Sequence, residues 1–253
     1  MSFPDRWDDG TDPSTAAHQV HWYDDRTAII RQSLRTSFEG PFLYLLLGDE
    51  RALLLDTGTG DVPLRPLVES LAGERELVVV HTHGHGDHVG GDPEFPEAVG
   101  RAAEDVARYF GFADWPHGVR QLDLGGRVLD VLAIPGHHAS HLALYDRETR
   151  LLFSGDSLYP GRLYVFDWPA YRDSVARLGE FVAAGNPVEW VLGAHIELTT
   201  EPGKDYEMGA DKHPDEHVLQ LRPAVLTELV DVVAAAGEDP VRIERDDFIV
   251  FPV

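Results

Sequence analysis

One order of elements occurs twice along this chain, and any fold it adopts must place both copies. In the first half, Thr27–Ser33, Pro41–Gly48 and Arg51–Asp56 read as strands. The last two flank Gly48-Asp49-Glu50 and predict a hairpin. Asp56-Thr57-Gly58-Thr59-Gly60 then breaks the run, and Asp61 is placed to cap a helix over Val62–Ala72. Glu76–Val80 reads as a buried strand that enters a histidine-rich loop. The second half repeats this grammar. Arg127–Ile134 is a strand, Leu142–Asp146 and Arg150–Phe153 form a hairpin, and Ser154-Gly155-Asp156 is the break. A helix follows over Ala170–Ala184, with Val175, Leu178, Phe181 and Val182 on its apolar face, and the strand Val188–Leu192 runs into His195. The repeat is one of pattern. It predicts an α+β fold, with two mixed sheets face to face and helices outside them in a four-layer αβ/βα sandwich.

Between and after the halves, Arg101–Phe110 has the pattern of an amphipathic helix, Pro223–Ala236 is a helix that Gly237 ends, and Val241–Pro252 supplies closing strands. The stretch at about 197–219 is polar, acidic and irregular, longer than most connections in a compact domain, and is expected to form a lid-like segment. No stretch has the composition of an interdomain linker, so residues 1–253 are expected to form a single domain.

Charge and cysteine count narrow the chemistry. Lys and Arg number 21 against 44 Asp and Glu, a formal charge of −23 that repels phosphate backbones and anionic lipids. Neither nucleic acid nor membrane is an expected partner; a small-molecule substrate is. With no cysteine, thiolate catalysis is excluded and any metal must be held by imidazoles and carboxylates. Met1–Gly10 is acidic and lacks the apolar core of a signal peptide, and Phe42–Leu47 is too short to span a bilayer, so cytoplasmic residence is the expectation. Homo-oligomerisation is not readable from the sequence.

The densest signal is His81-Thr82-His83-Gly84-His85-Gly86-Asp87-His88, directly after a predicted buried strand. On an extended segment His83 and His85 point the same way, which suits a ligand pair. Asp87 and His88 fall where a helix can begin and are displaced toward a neighbouring volume, so four ligands here suit two adjacent ions better than one. His137, Asp156 and His195 each follow a predicted strand, where α/β architectures place their sites. Five imidazoles and two carboxylates without sulfur suit two Zn²⁺, with Fe²⁺ or Mn²⁺ as alternatives.

These residues and their neighbours resemble the metallo-β-lactamase superfamily. His83-x-His85-x-Asp87-His88 matches its signature, including the glycines on either side of His85. Leu54-Leu55-Asp56-Thr57-Gly58, Pro135-Gly136-His137-His138-Ala139-Ser140-His141, Phe153-Ser154-Gly155-Asp156 and His195 resemble its other motifs in order. The resemblance covers roughly Ile29 to His195 and implies a metallo-β-lactamase-like fold. It implies that His83, His85 and His137 hold metal 1, that Asp87, His88 and His195 hold metal 2, and that Asp156 bridges them. Asp56 resembles the family's buried aspartate that steadies the metal loop. His138 stands where the family usually has Thr, and His141 is read as structural.

The resemblance implies a zinc-dependent dinuclear hydrolase of a small-molecule ester, lactone, thioester or amide, acting through a hydroxide between the metals, with Asp87 orienting it or passing a proton. The alternatives are a phosphodiesterase, an iron-dependent sulfur or oxygen oxidoreductase of the same fold and, last, a non-catalytic metal-binding protein. The bridging Asp156 argues against a β-lactamase. Hydroxyacylglutathione hydrolases bind anionic glutathione through basic residues near the C-terminus, whereas Thr199–Leu219 offers only Lys204 and Lys212. Substrate-pocket candidates lie in the segments after the motifs: Tyr159, Arg162 and Tyr164, then Tyr206, His213 and His217. The tyrosines offer hydroxyl donors and Arg162 a fork for a carboxylate or phosphate.

Overall fold

A computed structural model describes residues 1–253. Strands β1 (His18–Asp24), β2 (Thr27–Gln32), β3 (Phe42–Leu47) and β4 (Arg51–Leu55) are followed by helix α1 (Arg65–Ala72) and β5 (Glu76–Val80). The short helix α2 (Gly86–Val89) and α3 (Ala103–Phe110) lead to β6 (Val119–Asp123), β7 (Val128–Ala133), β8 (Leu142–Asp146), β9 (Leu151–Gly155) and β10 (Arg162–Val165). The chain ends with α4 (Trp168–Ala183), β11 (Trp190–Gly193), β12 (Gln220–Leu221), α5 (Pro223–Ala236), β13 (Ile243–Glu244) and β14 (Ile249–Pro252).

The repeat is visible in the topology. One sheet has the order β1-β2-β3-β4-β5 and the other β12-β11-β9-β8-β7-β6. In each sheet one pair is parallel, β4 with β5 and β9 with β11; the rest are antiparallel. Those parallel pairs join the strand before each break to the strand that feeds the histidines. A third, small sheet, β10-β14-β13, closes one end.

Side-chain alternation assigns the layers. Along β3, Phe42, Tyr44 and Leu46 pack into the core between the two sheets, against Leu144 and Phe153. Leu43 and Leu45 point the other way, against Leu64, Val68 and Ala72 at α1. On the outer face of the second sheet, Ala143, Tyr145 and Leu152 meet Val175 and Leu178 of α4 and Leu226 and Leu229 of α5. Strands buried on both faces explain why β3, β8 and β9 read as largely apolar runs.

Several elements differ from the sequence expectation for local physical reasons. Helix α1 starts at Arg65 rather than Val62, because Asp61 instead accepts from Thr59 Oγ1 (2.6 Å). The first amides of α1 are satisfied at long range by the Glu94 carboxylate, from Leu64 N (2.9 Å) and Arg65 N (3.2 Å). Strands β1 and β6 were not anticipated: both are sheet edges, largely half-exposed, with no clean apolar alternation. Arg162–Val165, read from sequence as pocket lining, is strand β10, paired in parallel with β14.

Residues 197–219 contain no helix and only isolated bridges. They are fastened at several points: Glu216 to buried Arg31, Asp205 to Arg162, and His213 N–H to Asp9 O (2.9 Å). The two main sheets are tied by buried Arg127, which an ion pair within its own sheet holds in place. Arg127, entering β7, donates to Asp146 Oδ2 (2.6 Å), Thr27 Oγ1 (2.7 Å) and the carbonyl of Arg26 (2.6 Å). No helix is long and apolar enough to cross a membrane.

Candidate metal centre

Four chain segments meet at one edge of the sandwich, each delivered by a strand end. β5 runs into His81–His85, and α2 carries Asp87 and His88. The loop after β7 brings His137, the end of β9 brings Asp156, and the end of β11 brings His195. Gly155 turns the chain at φ +50°; a Cβ there would lie 2.9 Å from both His141 Nε2 and the Thr82 side chain, so the turn into Asp156 favours glycine.

The side chains form two adjoining donor groups. In the first, His83 Nε2, His85 Nδ1 and His137 Nε2 lie 2.9–3.2 Å from one another. In the second, Asp87 Oδ2 is 3.2 Å from both His88 Nε2 and His195 Nε2. Asp156 stands between them. Its Oδ1 faces His88 (3.4 Å) and His195 (3.6 Å), and its Oδ2 faces His137 (3.5 Å) and His83 (3.9 Å). The ligand atoms of His83, His85 and His137, and those of Asp87, His88, Asp156 and His195, are close enough within each set to hold an ion.

The outer ring nitrogens are tied in a way that leaves lone pairs pointing inward. His137 Nδ1 donates to the Tyr164 carbonyl (2.7 Å) and His195 Nδ1 to the Glu39 carbonyl (3.0 Å). His88 Nδ1 donates to Asp56 Oδ2 (2.9 Å), and His83 Nδ1 to Thr82 Oγ1 (3.1 Å), whose own proton goes to Asp56 (2.8 Å). Carbonyls and carboxylates only accept, so these partners place a proton on each Nδ1 and turn each Nε2 inward as the ligand-capable atom. The buried His88 Nε2 and Asp156 Oδ1 find no hydrogen-bond partner in the protein. A divalent cation would satisfy both, and the donor set fits such a group.

Electrostatics separate the two donor groups. Burial lowers the pKa of His83, His85 and His137, and neighbouring histidines lower that of His83 further, so these rings stay neutral. Burial also opposes charge on His88 and His195, but the carboxylates outweigh it. His88 is driven well above its ordinary value by Asp87 and Asp156, and His195 is pushed up to about 10 by Asp156 and Asp87. The same pairing holds both carboxyls far below the usual carboxylate range despite their burial. Two carboxylates thus favour positive charge at their centre, whether carried by protons or by a metal ion.

Asp56 organises the loop. It is buried, sits at φ +66°, and accepts from Thr82 N (2.7 Å), Thr82 Oγ1 and His88 Nδ1. A non-glycine residue in that region carries backbone strain, held here by these bonds. Behind it, buried His81 lies between Asp56 and Asp92 (2.9 Å), and Asp92 pairs with Arg101. Asp56→Ala is expected to weaken metal binding about 10–100-fold, the usual cost of removing such a partner. Titration of the metal-free protein with zinc measures this; unchanged affinity would deny Asp56 the role. His141 accepts from the Asp156 amide (3.1 Å) and supports that turn from behind. The Ser140 amide donates to His138 Nδ1 (3.2 Å), leaving that ring beside His85.

A cavity of about 180 Å³ opens over the donors, lined by His85, Asp87, His137, Asp156 and His195 with Glu39 and Glu197. Tyr159 and Tyr164 also line it, but their hydroxyls differ. Tyr159 donates its proton to the Arg162 carbonyl. Tyr164 accepts from Arg162 Nε (2.9 Å), which leaves its own proton free. Arg162 is not a free fork. It is buried and bonded to Glu197 (3.1 Å), Asp205 (2.8 Å) and the Tyr206 carbonyl (2.8 Å). Tyr206 and His213 stack, with ring centroids 4.1 Å apart, in an adjoining pocket of about 270 Å³. His217 is elsewhere: it pairs with Asp247 (2.9 Å) and lines a different hollow beside Pro4 and Arg6. Glu39 and Phe38, which face the site, lie in the connection before β3, where no motif marks them.

The profile of the metallo-beta-lactamase superfamily matches residues 38–195 of this chain. The acyl-coenzyme A thioesterase MBLAC2 of Gallus gallus is 32% identical over 206 residues, covering 62% of this chain and 72% of its own. The hydroxyacylglutathione hydrolase of Pseudomonas savastanoi pv. phaseolicola is 34% identical over 157 residues, covering 57% of this chain and 59% of its own. Among solved structures, a metallo-beta-lactamase from Pontibacter korlensis superposes with a TM-score of 0.60 at 18% identity, over 86% of this chain and 99% of that one. At that identity the likeness establishes the fold alone.

Proposed function

This chain belongs to the metallo-β-lactamase superfamily, and from that premise we propose that it is a dinuclear-metal hydrolase of small-molecule thioesters. The observation that carries the dinuclear part is Asp156, whose two oxygens face different donor groups. His83, His85 and His137 would hold one ion, and Asp87, His88 and His195 the other, with Asp156 shared. Imidazole and carboxylate donors without sulfur favour zinc over softer-ligand metals. Two divalent ions held there supply Lewis acidity toward a carbonyl oxygen and an acidified water at neutral pH.

The protein's own groups bear on which bond is cleaved. Asp87, partly exposed at the cleft, is the carboxylate placed to accept a hydrogen bond from water and orient it there. Tyr164 offers the free hydroxyl, and burial raises its pKa, so it donates a hydrogen bond more readily than a proton. A leaving thiolate needs little more, because thiols ionise near pH 8.5, whereas an amide nitrogen needs a proton before it departs. This chemistry and the thioesterase relatives support the same substrate class.

Tyr164→Phe is expected to lower thioester turnover about tenfold, the cost of one hydrogen bond made in the transition state. Steady-state kinetics on metal-loaded protein check it; unchanged kcat would remove Tyr164 from the chemistry. The class itself is tested by comparing a thioester, an oxygen ester, a β-lactam and a phosphodiester, with and without oxygen. Oxygen-independent turnover led by the thioester is expected. Oxygen uptake or a dominant phosphodiesterase activity would overturn the proposal.

A further inference from the structure

The cleft over the donors continues on two sides into spaces of very different character. On the His195 side is the pocket of about 270 Å³, below the usual range of about 300–1,000 Å³ for ligand pockets. Its walls include Phe38 and Met208, which are 48% and 71% exposed. Its carboxylates are Glu39, Glu197 and Glu207, its one guanidinium, Arg162, is consumed by Glu197 and Asp205, and His195 lies where it meets the cleft. On the His85 and His137 side is an open groove of about 840 Å³. Trp115 and Phe166 give it flat apolar walls, and His117, Arg177, Asp167 and Asp173 give it polar and charged contacts of both signs. Phe166, 61% exposed, stands 5.8 Å from the His85 and His137 rings and lines both the groove and the cleft. Large exposed apolar side chains thus flank the cleft on both sides, where a ligand can cover them.

Resting on the thioester reading above, we propose that the cleft divides the substrate by size and charge. A short, uncharged acyl group occupies the pocket between Phe38 and Met208, and the amide-bearing thiol arm lies along the groove over Trp115. A carboxylate on the acyl group would enter a pocket with three carboxylates and no unpaired guanidinium or ammonium group. At the roughly 30 Å³ that one water occupies, its volume holds on the order of nine methylene-sized groups, so a short acyl chain fits with room to spare. The groove has the length for an extended arm and the mixture of aromatic faces and polar groups that amides require.

Calorimetry on the metal-loaded protein with unreactive thioethers tests this division apart from turnover. The probes are the S-butyl, S-(3-carboxypropyl) and S-methyl ethers of pantetheine. The S-butyl ether is expected to bind at least about tenfold more tightly than the carboxypropyl ether, since like-charge contact is costly. Met208→Ser, at an exposed position that folding does not depend on, should weaken the S-butyl ether more than the S-methyl ether. Trp115→Ala should weaken both by a common factor of about 3–10, the worth of one aromatic contact. Equal binding of butyl and carboxypropyl ethers, failure of any ether to bind, or a Trp115→Ala effect that depends on the acyl mimic would overturn the assignment. Hydrolysis of S-butyrylpantetheine tests the thioester reading separately. Binding as expected without hydrolysis would sink that reading alone, and hydrolysis without the butyl preference would sink the division alone.

Discussion

Asp156→Ala is expected to lower thioester turnover by about a thousandfold or more, corresponding to the loss of roughly 4 kcal/mol of metal-dependent stabilisation. Bound metal should fall from two equivalents per chain to one or fewer. The reason is geometric and electrostatic together. Asp156 is the one side chain whose oxygens face both donor groups, and it is a main source of the positive potential preference at His195 and His88. Asp156→Asn keeps the volume and one accepting oxygen but removes the charge, so it should bind metal better than alanine and still less well than aspartate. Elemental analysis beside kinetics separates lost metal from lost chemistry. Full activity with two retained ions in Asp156→Ala would refute the bridging role.

Arg127→Met should destabilise the fold by about 3–5 kcal/mol, the range seen when one partner of a buried ion pair is removed. Both side chains are fully inaccessible, and Arg127 reaches across to β2 while Asp146 lies at the end of β8. Methionine fills much of the volume but leaves the Asp146 charge with hydroxyl and amide donors only, Thr149 Oγ1 (2.6 Å) and Glu148 N (3.1 Å). The double replacement Arg127→Met with Asp146→Leu should cost less than Arg127→Met alone, because no buried charge is stranded. Denaturant unfolding of the singles and the double measures this. A single-variant loss under about 1 kcal/mol would mean that Arg127 and its ion pair do not hold the sheets together.

How far the sequence anticipates this molecule depends on whether a feature is written locally. β3, β4, β8 and β9 are apolar runs bounded by turns, so the paired hairpins could be read directly, and their repetition predicted the sandwich. The seven converging positions were legible because four lie in one dense run after β5 and the other three each follow a strand end within a few residues. The edge strands β1 and β6 were not, because His18–Asp24 and Val119–Asp123 are mostly polar and carry no regular apolar alternation. The pocket was least legible. Whether Arg162 is free for an anion depends on Glu197 and Asp205, which only the tertiary fold brings to it. His217 looked equivalent to His213 in the same acidic loop, yet Asp247 holds it away from the cleft. Glu39 supports His195 through a backbone carbonyl, a contact that side-chain identity does not encode.

The most direct test is metal content measured against thioester hydrolysis on one preparation, through chelation and stepwise restoration of zinc. Two ions per chain are expected at full activity, with hydrolysis abolished by chelation, restored by zinc and independent of oxygen. Hydrolysis that survives complete metal removal, or saturation of both binding and activity at a single ion, would contradict a dinuclear centre bridged by Asp156.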